Sequence, residues 1–241
     1  ALLAAAAAQA QPAAASRVLR DVPYGADARQ KFDVYLPARP TGPVILMVHG
    51  GAWAVGDKAA PGVVKNKVRH WVDDLGYVLV SANYRMLPAA QPVEQAADVA
   101  RALAAVQKQA PQWGADPKRL VLMGHSAGAH LVALVGTDER YLKDAGLSFA
   151  SLKGVIPIDG AGYDVARQMA GDAPRLLQQR YQAAFGSDPA RQRALSPTLR
   201  AADGAGRLPP FLLIHVQRPD AVAQAEGLEA ALKAARARVE R

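Results

Sequence analysis

Short apolar runs alternate with amphipathic segments along most of the chain. Four of these runs are almost continuously apolar and rich in β-branched residues, and they lie at residues 43–48, 77–81, 120–123 and 155–158. Runs of this length and composition are typical of parallel strands that are buried on both faces. Residues 92–109 instead repeat their apolar side chains at helical spacing, which predicts a helix between strands. The pattern therefore predicts an α/β fold with a doubly wound, mostly parallel sheet.

Weaker patterns extend this prediction toward both ends. Two strands are predicted before the first buried run, at residues 16–22 and 30–36, because the second alternates polar and apolar side chains. The remaining elements are helices at residues 63–75, 126–135, 173–185 and 221–236 and a strand at residues 210–215. Residues 160–208 are otherwise irregular, which is typical of a lid-like insertion over a sheet. We expect one domain, residues 16–241, preceded by a tail, residues 1–15.

Composition narrows the class of protein. The chain has 241 residues, of which 51% are hydrophobic and 21% charged, as expected for one globular domain. The net charge of +8 would suit a nucleic-acid binder. The basic residues are scattered, however, so a solvated basic surface is the better interpretation and no nucleic-acid partner is predicted. Cysteine is absent, which excludes a disulfide scaffold, a thiol nucleophile and a cysteine zinc site.

The sequence contains no motif typical of a cofactor-binding site. The glycines of Gly160-Ala161-Gly162 lack the spacing and context of a dinucleotide fingerprint. Neither a metal-ligand cluster nor a phosphate-binding loop is evident. We therefore predict no metal and no cofactor.

The N-terminus has the pattern of a secretory signal. Small apolar residues fill positions 1–8, and Ala8-Gln9-Ala10 has the small-x-small form of a signal-peptidase site. This predicts a secreted or periplasmic protein whose charged leading segment is removed. A disordered alanine-rich tail on a cytoplasmic protein is the alternative. No later apolar stretch is long enough to cross a bilayer.

The strongest chemical signal is a Gly-His-Ser-Ala-Gly motif at residues 124–128, between a predicted strand and a predicted helix. A serine on such a sharp turn exposes its hydroxyl above the sheet, and small flanking residues allow strand and helix to pack closely. The helix N-terminus then directs N–H groups toward a developing oxyanion. Ser126 is therefore predicted to be a nucleophile, with a chance glycine-rich turn as the alternative.

A second motif, His-Gly-Gly-Ala-Trp at residues 49–53, follows the strand that ends at Val48. Hydrolases with a serine elbow use backbone N–H groups from this loop in the oxyanion hole, and glycine permits the close approach. An ordinary Gly-Gly turn is the alternative. Two independent motifs in the expected order favour a hydrolase.

With these motifs the chain resembles the hormone-sensitive-lipase-like esterases of the α/β-hydrolase superfamily, and more narrowly the bacterial carboxylesterases and kynurenine formamidases. The matching segments are residues 32–37, 49–53, 81–85, 124–131, 196–197 and 209–211. The resemblance implies the α/β-hydrolase fold and a nucleophilic role for Ser126. It further implies that the N–H groups of Gly51, Ala52 and Ala127 form the oxyanion hole. His49 would brace this loop rather than transfer protons.

The catalytic acid is expected after the strand that follows the lid-like insertion, because the triad of this fold runs Ser, Asp or Glu, His. Asp220 is the best candidate, although the family's His-Gly-x-x-Asp has become His-Val-Gln-Arg-Pro-Asp at residues 215–220, with one residue more. Asp220 would also suit the N-cap of the helix predicted from residue 221. Asp159 is the alternative acid. The possible pocket residues are Trp53, His125, Asp159 and Tyr163.

The catalytic histidine is missing from its expected place. The five histidines are His49, His70, His125, His130 and His215, and none follows Asp220. After a helix that ends near Arg241, the fold would add a strand, a histidine-bearing loop and a helix, on the order of 30–50 residues. We therefore expect a fragment that lacks its C-terminal strand and helix and is nearly inactive. We also expect an uncovered sheet edge and apolar surface. A base role for His125 or His130 is the alternative.

Three functions remain open from the sequence. The first is hydrolysis of carboxylic esters through an acyl-enzyme at Ser126. The second is an arylformamidase-type amidase, although a signal peptide argues against cytosolic tryptophan catabolism. The third is a non-catalytic binding protein, if the chain ends naturally at Arg241. The expected partner is a small-molecule ester or amide, and the sequence does not specify an oligomeric state.

Overall fold

A single eight-stranded sheet organises the protein in the computed structural model, which describes residues 17–241. The predicted tail and its signal-peptide pattern lie outside these residues. The strands are β1 (Arg17–Pro23), β2 (Lys31–Leu36), β3 (Val44–Val48), β4 (Val78–Ala82), β5 (Leu120–His125), β6 (Leu152–Ile158), β7 (Phe211–Leu212) and β8 (Val239–Glu240). They lie in the order β1-β2-β4-β3-β5-β6-β7-β8. Strand β2 pairs antiparallel with both β1 and β4, and the five other pairs are parallel, which confirms the predicted mostly parallel sheet.

Helices follow most of the strands. They are α1 (Pro61–Lys67), α2 (Pro92–Gln109), α3 (Ala127–Thr137), α4 (Glu139–Asp144), α5 (Val165–Ala170), α6 (Arg175–Phe185), α7 (Pro189–Ala194), α8 (Pro197–Arg200) and α9 (Pro219–Ala234). A π-helix, Val68–Asp74, continues directly from α1, so the single helix predicted at residues 63–75 has two parts. The predicted lid-like insertion, residues 160–208, contains α5 to α8. No helix in the described part of the chain combines the length and apolar character needed to span a membrane.

The sheet separates two apolar layers. Leu46 of β3 belongs to the larger layer, which includes residues of α2 and α3, whereas its neighbours Ile45 and Met47 belong to the smaller layer beside α1. Successive side chains of a strand point to opposite faces, so a strand between two layers needs apolar residues at every position. This explains why β3 is the uninterrupted run Val-Ile-Leu-Met-Val.

The C-terminal end of the fold corrects one expectation. The last predicted helix extended to residue 236 and the next strand was expected beyond Arg241. Instead α9 ends at Ala234, Arg236 turns the chain with a φ of 62°, and β8 pairs parallel with β7. The alanine- and arginine-rich composition favours helix throughout this stretch, but the left-handed turn at Arg236 ends it early. The expectation that this strand is missing was therefore wrong, since β8 is present next to β7.

The sheet end near β7 carries exposed apolar side chains. Leu212, Ile214 and Val216 alternate along the chain and are 39%, 44% and 45% exposed. The predicted strand at residues 210–215 is reduced to β7 and one bridge between Ile158 and Ile214. The uncovered apolar surface expected at this end is thus present.

A buried carboxylate connects α2 to the rest of the fold. Asp98 is fully buried and accepts hydrogen bonds from the Arg85 guanidinium at 2.9 and 2.8 Å, and from the Arg85 backbone N–H at 3.1 Å. Gln30, which precedes β2, donates to the same carboxylate at 2.8 Å. A buried charge requires such pairing because its desolvation is costly.

We expect Asp98→Asn to lower the free energy of unfolding by about 3 kcal/mol, because it leaves Arg85 without its ionic partner. Urea denaturation followed by circular dichroism measures the change. Asp144→Asn is the matched control, since Asp144 is exposed and forms no ion pair within residues 17–241. Equal stabilities of the two variants would contradict this account of Asp98.

Candidate active site

Ser126 occupies a strained turn between β5 and α3. Its backbone has φ 54° and ψ −118°, a conformation that non-glycine residues rarely adopt. Its N–H donates to the Ile158 carbonyl of β6 at 2.9 Å, and its own carbonyl accepts from the His130 N–H at 3.2 Å. These bonds hold the turn between the sheet and the helix, with the serine side chain partly exposed.

Two glycines make this turn possible. A Cβ on Gly124 would overlap the Gly128 carbonyl, and a Cβ on Gly128 would overlap the Val48 carbonyl at the end of β3. Strands β3 and β5 and helix α3 therefore approach at backbone distance. Any larger residue at either position would force them apart.

The loop at residues 49–53 lies directly against this turn. A Cβ built on Gly50 would be 3.0 Å from the Ser126 Cβ. Gly51, Ala52 and Trp53 all have positive φ, of 122°, 49° and 60°. The loop closes on itself because the Ala54 and Val55 N–H groups both donate to the Gly51 carbonyl, at 3.1 and 3.0 Å.

Several backbone N–H groups around Ser126 lack an acceptor within residues 17–241. Those of Gly51, Ala52 and Ala127 donate to no acceptor within residues 17–241. Ala127 is the first residue of α3, where N–H groups have no intrahelical acceptor. Unpaired donors beside a serine hydroxyl are what a developing oxyanion requires. Each of the three residues implied by the family resemblance thus has an unpaired donor.

His49 is built into the loop as a support. It is fully buried, its Nδ1 donates to the Gly50 carbonyl at 2.7 Å, and its ring stacks on Tyr84 with 4.7 Å between centroids. The Tyr84 hydroxyl donates to the His49 carbonyl at 3.2 Å. Burial lowers the pKa of His49. These contacts agree with the bracing role that the sequence predicts.

The segment that follows this loop is anchored by a buried ion pair. The Lys58 ammonium donates to Asp33 of β2 at 2.6 Å and pairs with Asp21 at 3.0 Å. Burial opposes ionisation of Asp33, but hydrogen bonds from Lys58, the Asp21 N–H and Arg20 hold its pKa below the ordinary value. The segment between residue 53 and α1 is therefore fixed to the antiparallel edge of the sheet.

The two candidate acids share one arginine. Asp159 follows β6 directly, and Arg218 lies 3.3 Å from each of its carboxylate oxygens. Arg218 also donates to Asp220 at 3.1 Å. Asp159 lies near the serine turn because the preceding residue, Ile158, accepts the Ser126 N–H. Arg218 therefore connects the exposed Asp220 to the edge of the sheet that carries Ser126.

The predicted N-cap role of Asp220 was wrong. Helix α9 begins at Pro219, so the N-cap is Arg218 and Asp220 is the second residue of the helix, with its side chain 53% exposed. Proline at the first helical position has a preset φ and extends the helix by two residues. A carboxylate in the first turn still interacts favourably with the helix dipole.

The histidines do not reach the serine hydroxyl. Within residues 17–241, none of the five forms a hydrogen bond with the Ser126 side chain. His125 is exposed at the end of β5, and His70 is exposed beside Trp71. His215 donates to the Val216 carbonyl at 3.0 Å and contacts Arg241 at 3.1 Å.

His130 is fully occupied by other partners. Its Nδ1 accepts from the Trp53 indole at 3.2 Å, and its Nε2 donates to the Leu195 carbonyl at 2.8 Å. Burial lowers the pKa of His130 to about 4. His130 therefore has no free nitrogen with which to accept a proton from Ser126.

The possible pocket residues differ in exposure. Trp53 and Tyr163 are buried, and the Tyr163 hydroxyl accepts from the Gly160 N–H at 3.2 Å. His125 is exposed and Asp159 is partly exposed beside the serine turn. Sequence reasoning missed two features here, namely Arg218 between the acids and the pairing of Trp53 with His130. The partners lie 59 and 77 residues apart, and no local pattern signals such contacts.

The strain at Ser126 predicts an unusual order of stabilities. Glycine tolerates a positive φ, whereas alanine does not relieve it, so Ser126→Gly should be about 1 kcal/mol more stable than Ser126→Ala. Thermal denaturation measures both variants. At position 129, inside α3, the Ala129→Gly variant should instead be less stable than the wild type, which has alanine there. If glycine and alanine ranked in the same order of stability at positions 126 and 129, the inferred strain at Ser126 would be contradicted.

Burial of neutral His130 predicts a loss of stability in acid. Its folded-state pKa of about 4 is below the ordinary 6.5. The unfolded chain therefore binds a proton in this range that the folded protein does not. The free energy of unfolding should fall from pH 6.5 to 4 by roughly 3 kcal/mol more in the wild type than in His130→Gln, which cannot titrate. Urea denaturation at several pH values measures this, and parallel profiles would refute it.

One family model matches most of the chain. BD-FAE aligns with residues 32–232, a range that contains the loop at residues 49–53, Ser126 and Asp220. Strand β2 and helix α9 mark its two ends.

Curated relatives are similar over most of this chain. Isoprenylcysteine alpha-carbonyl methylesterase from Arabidopsis thaliana is 28% identical over 210 residues, covering 83% of this chain and 48% of its own length. Esterase LipC from Mycobacterium tuberculosis is 32% identical over 211 residues, covering 83% and 50%. The chain thus spans about half the length of the curated relatives it matches.

Solved structures share the fold. Esterase B from Lactobacillus rhamnosis has a TM-score of 0.76 at 24% identity, covering 97% of this chain and 77% of that one. A thermostable esterase from Pseudomonas putida has a TM-score of 0.72 at 22% identity, covering 95% and 73%. With the sheet order and the serine turn, these matches establish the α/β-hydrolase fold, and the chain belongs to the BD-FAE family.

Proposed function

We propose that this protein hydrolyses carboxylic esters through an acyl-enzyme at Ser126. The observation that carries the proposal is the set of three unpaired N–H groups, from Gly51, Ala52 and Ala127, around the strained serine turn. Esterase LipC and the plant methylesterase, which match most of this chain, support ester substrates.

The mechanism follows from these groups. The Ser126 oxygen attacks the ester carbonyl carbon while its proton passes to a base, and the carbonyl oxygen becomes an oxyanion that accepts from the unpaired N–H groups. The oxyanion then collapses and expels the alcohol, which takes the proton. Water attacks the acyl-serine in the same way and releases the carboxylic acid.

The described residues provide a candidate acid for Ser126 but no hydrogen-bonded base. Asp220 is the proposed acid, and Arg218 pairs with both Asp220 and Asp159. The described histidines leave Ser126 without a hydrogen-bonded base. We therefore expect residues 1–241 to turn over esters on the order of 10⁶-fold more slowly than a complete triad would.

Chemical rescue tests the proposal. Free imidazole should replace the base and raise Ser126-dependent hydrolysis of p-nitrophenyl acetate at least about tenfold, since general base catalysis contributes on the order of 10²-fold or more. The measurement is release of p-nitrophenolate by residues 1–241 across an imidazole series. Ser126→Ala under identical conditions removes the contribution of imidazole acting alone on the ester.

Each outcome of this experiment has a clear meaning. Identical rates for the wild type and Ser126→Ala at every imidazole concentration would reject the serine mechanism. A high rate without imidazole, abolished by Ser126→Ala, would show that a described histidine such as His125 serves as base. Faster Ser126-dependent turnover of N-formylkynurenine than of the ester would favour the formamidase alternative.

A further inference from the structure

A hydrogen-bonded relay crosses the core behind the oxyanion loop, which we define as residues 49–53. The Trp53 indole N–H donates to His130 Nδ1 at 3.2 Å, and His130 Nε2 donates to the Leu195 carbonyl at 2.8 Å. Both side chains are buried, with Trp53 1% and His130 0% exposed. The relay therefore joins the loop, α3 and the chain directly after α7.

The chemistry of the partners fixes the state of the imidazole. A carbonyl oxygen can only accept, so His130 Nε2 must carry a proton. The indole N–H can only donate, so His130 Nδ1 must be unprotonated. The relay thus needs the neutral imidazole in one tautomer, and burial, which lowers the pKa of His130, favours the neutral form.

Aromatic packing connects the same relay to the lid-like insertion. The Phe185 ring of α6 lies edge-on to Trp53 with 4.8 Å between centroids, and to His130 with 5.4 Å. Tyr181, one turn earlier, packs against Trp53 at 6.0 Å. Residues 160–208 therefore contact both members of the relay through side chains as well as through Leu195.

The oxyanion loop needs such an external support. Ala52 and Trp53 are non-glycine residues with positive φ, which costs energy that the surroundings must offset. The Trp53 carbonyl accepts from the Leu87 N–H and from the Gln95 amide, both at 2.9 Å. The backbone of Trp53 is thus held by α2 and its preceding segment, while its side chain is held by His130.

We propose that His130 is a positioning residue that fixes the oxyanion loop to the lid-like insertion. Movement of Leu195 or Phe185 displaces the imidazole, and through Trp53 it alters the directions of the Gly51 and Ala52 N–H groups. The name of the loop rests on the proposed function. The relay itself can be measured without any substrate.

Amide hydrogen exchange tests the relay. The Ala54 and Val55 N–H groups are hydrogen-bonded to Gly51, so they report whether the loop keeps its shape. His130→Leu should raise exchange of residues 50–56 by about tenfold, because it removes the acceptor of the Trp53 indole and the donor to Leu195. Trp53→Phe removes the first bond from the other side and should have a similar effect on the loop. His70→Leu, at an exposed histidine, is the matched control.

Two conservative variants separate the halves of the relay. His130→Leu should also speed amide exchange in residues 189–200, which contain Leu195. His130→Asn offers an oxygen near the position of Nδ1, so it should restore slow exchange in residues 50–56 but leave exchange in residues 189–200 fast. His130→Gln offers a donor near the position of Nε2 and should do the reverse. In the wild type, ¹⁵N shifts of His130 should report the tautomer protonated at Nε2 from pH 6 to 8.

The exchange rates of the two variants decide whether the relay holds the loop. Wild-type exchange of residues 50–56 in both His130→Leu and Trp53→Phe, with exchange in α2 also unchanged, would overturn the proposal. Faster exchange everywhere in His130→Leu would mean that this variant unfolds, and Trp53→Phe then decides the outcome. Because these measurements use no ester, an absence of ester turnover would reject the proposed function and leave the relay intact.

Discussion

The close approach of β3, β5 and α3 at Gly124 and Gly128 is the constraint on which the rest of the site depends. Where a Cβ would overlap a backbone carbonyl, the chain can only turn sharply, and the residue at the centre of the turn takes a positive φ. That turn directs the Ser126 side chain out of the sheet and leaves the first N–H of α3 unpaired. The oxyanion loop can then lie against it, because Gly50 also has no Cβ.

Electrostatic pairing supports this arrangement from three sides. Asp98 holds α2 to the segment after β4, and Asp33 holds Lys58, which lies between the oxyanion loop and α1. Arg218 holds the two carboxylates at the opposite side of the serine turn. The buried pairs have limited solvent around them, so each group depends on its partner more than an exposed pair would.

Much of this structure could be predicted from the sequence because its signals are local. Continuous apolar runs indicated the central parallel strands, and the two glycine-containing motifs indicated the turn and the loop. Prediction failed where distant residues or single backbone angles decide the outcome. The turn at Arg236, which ends α9 and allows β8, is hidden in a composition that favours helix. The pairing of Trp53 with His130 joins residues 77 positions apart, and only the fold brings them together.

The three unpaired N–H groups have a consequence for the end of a catalytic cycle. They carry partial positive charge whether or not a ligand is present, because they belong to the backbone. An ester presents a neutral carbonyl to these donors, whereas the acid that it yields presents a carboxylate. Charged acceptors form the stronger hydrogen bonds. In an ester hydrolase of this design, the feature that stabilises the transition state also retains the product, and departure of the acid becomes a step that competes with arrival of the next ester.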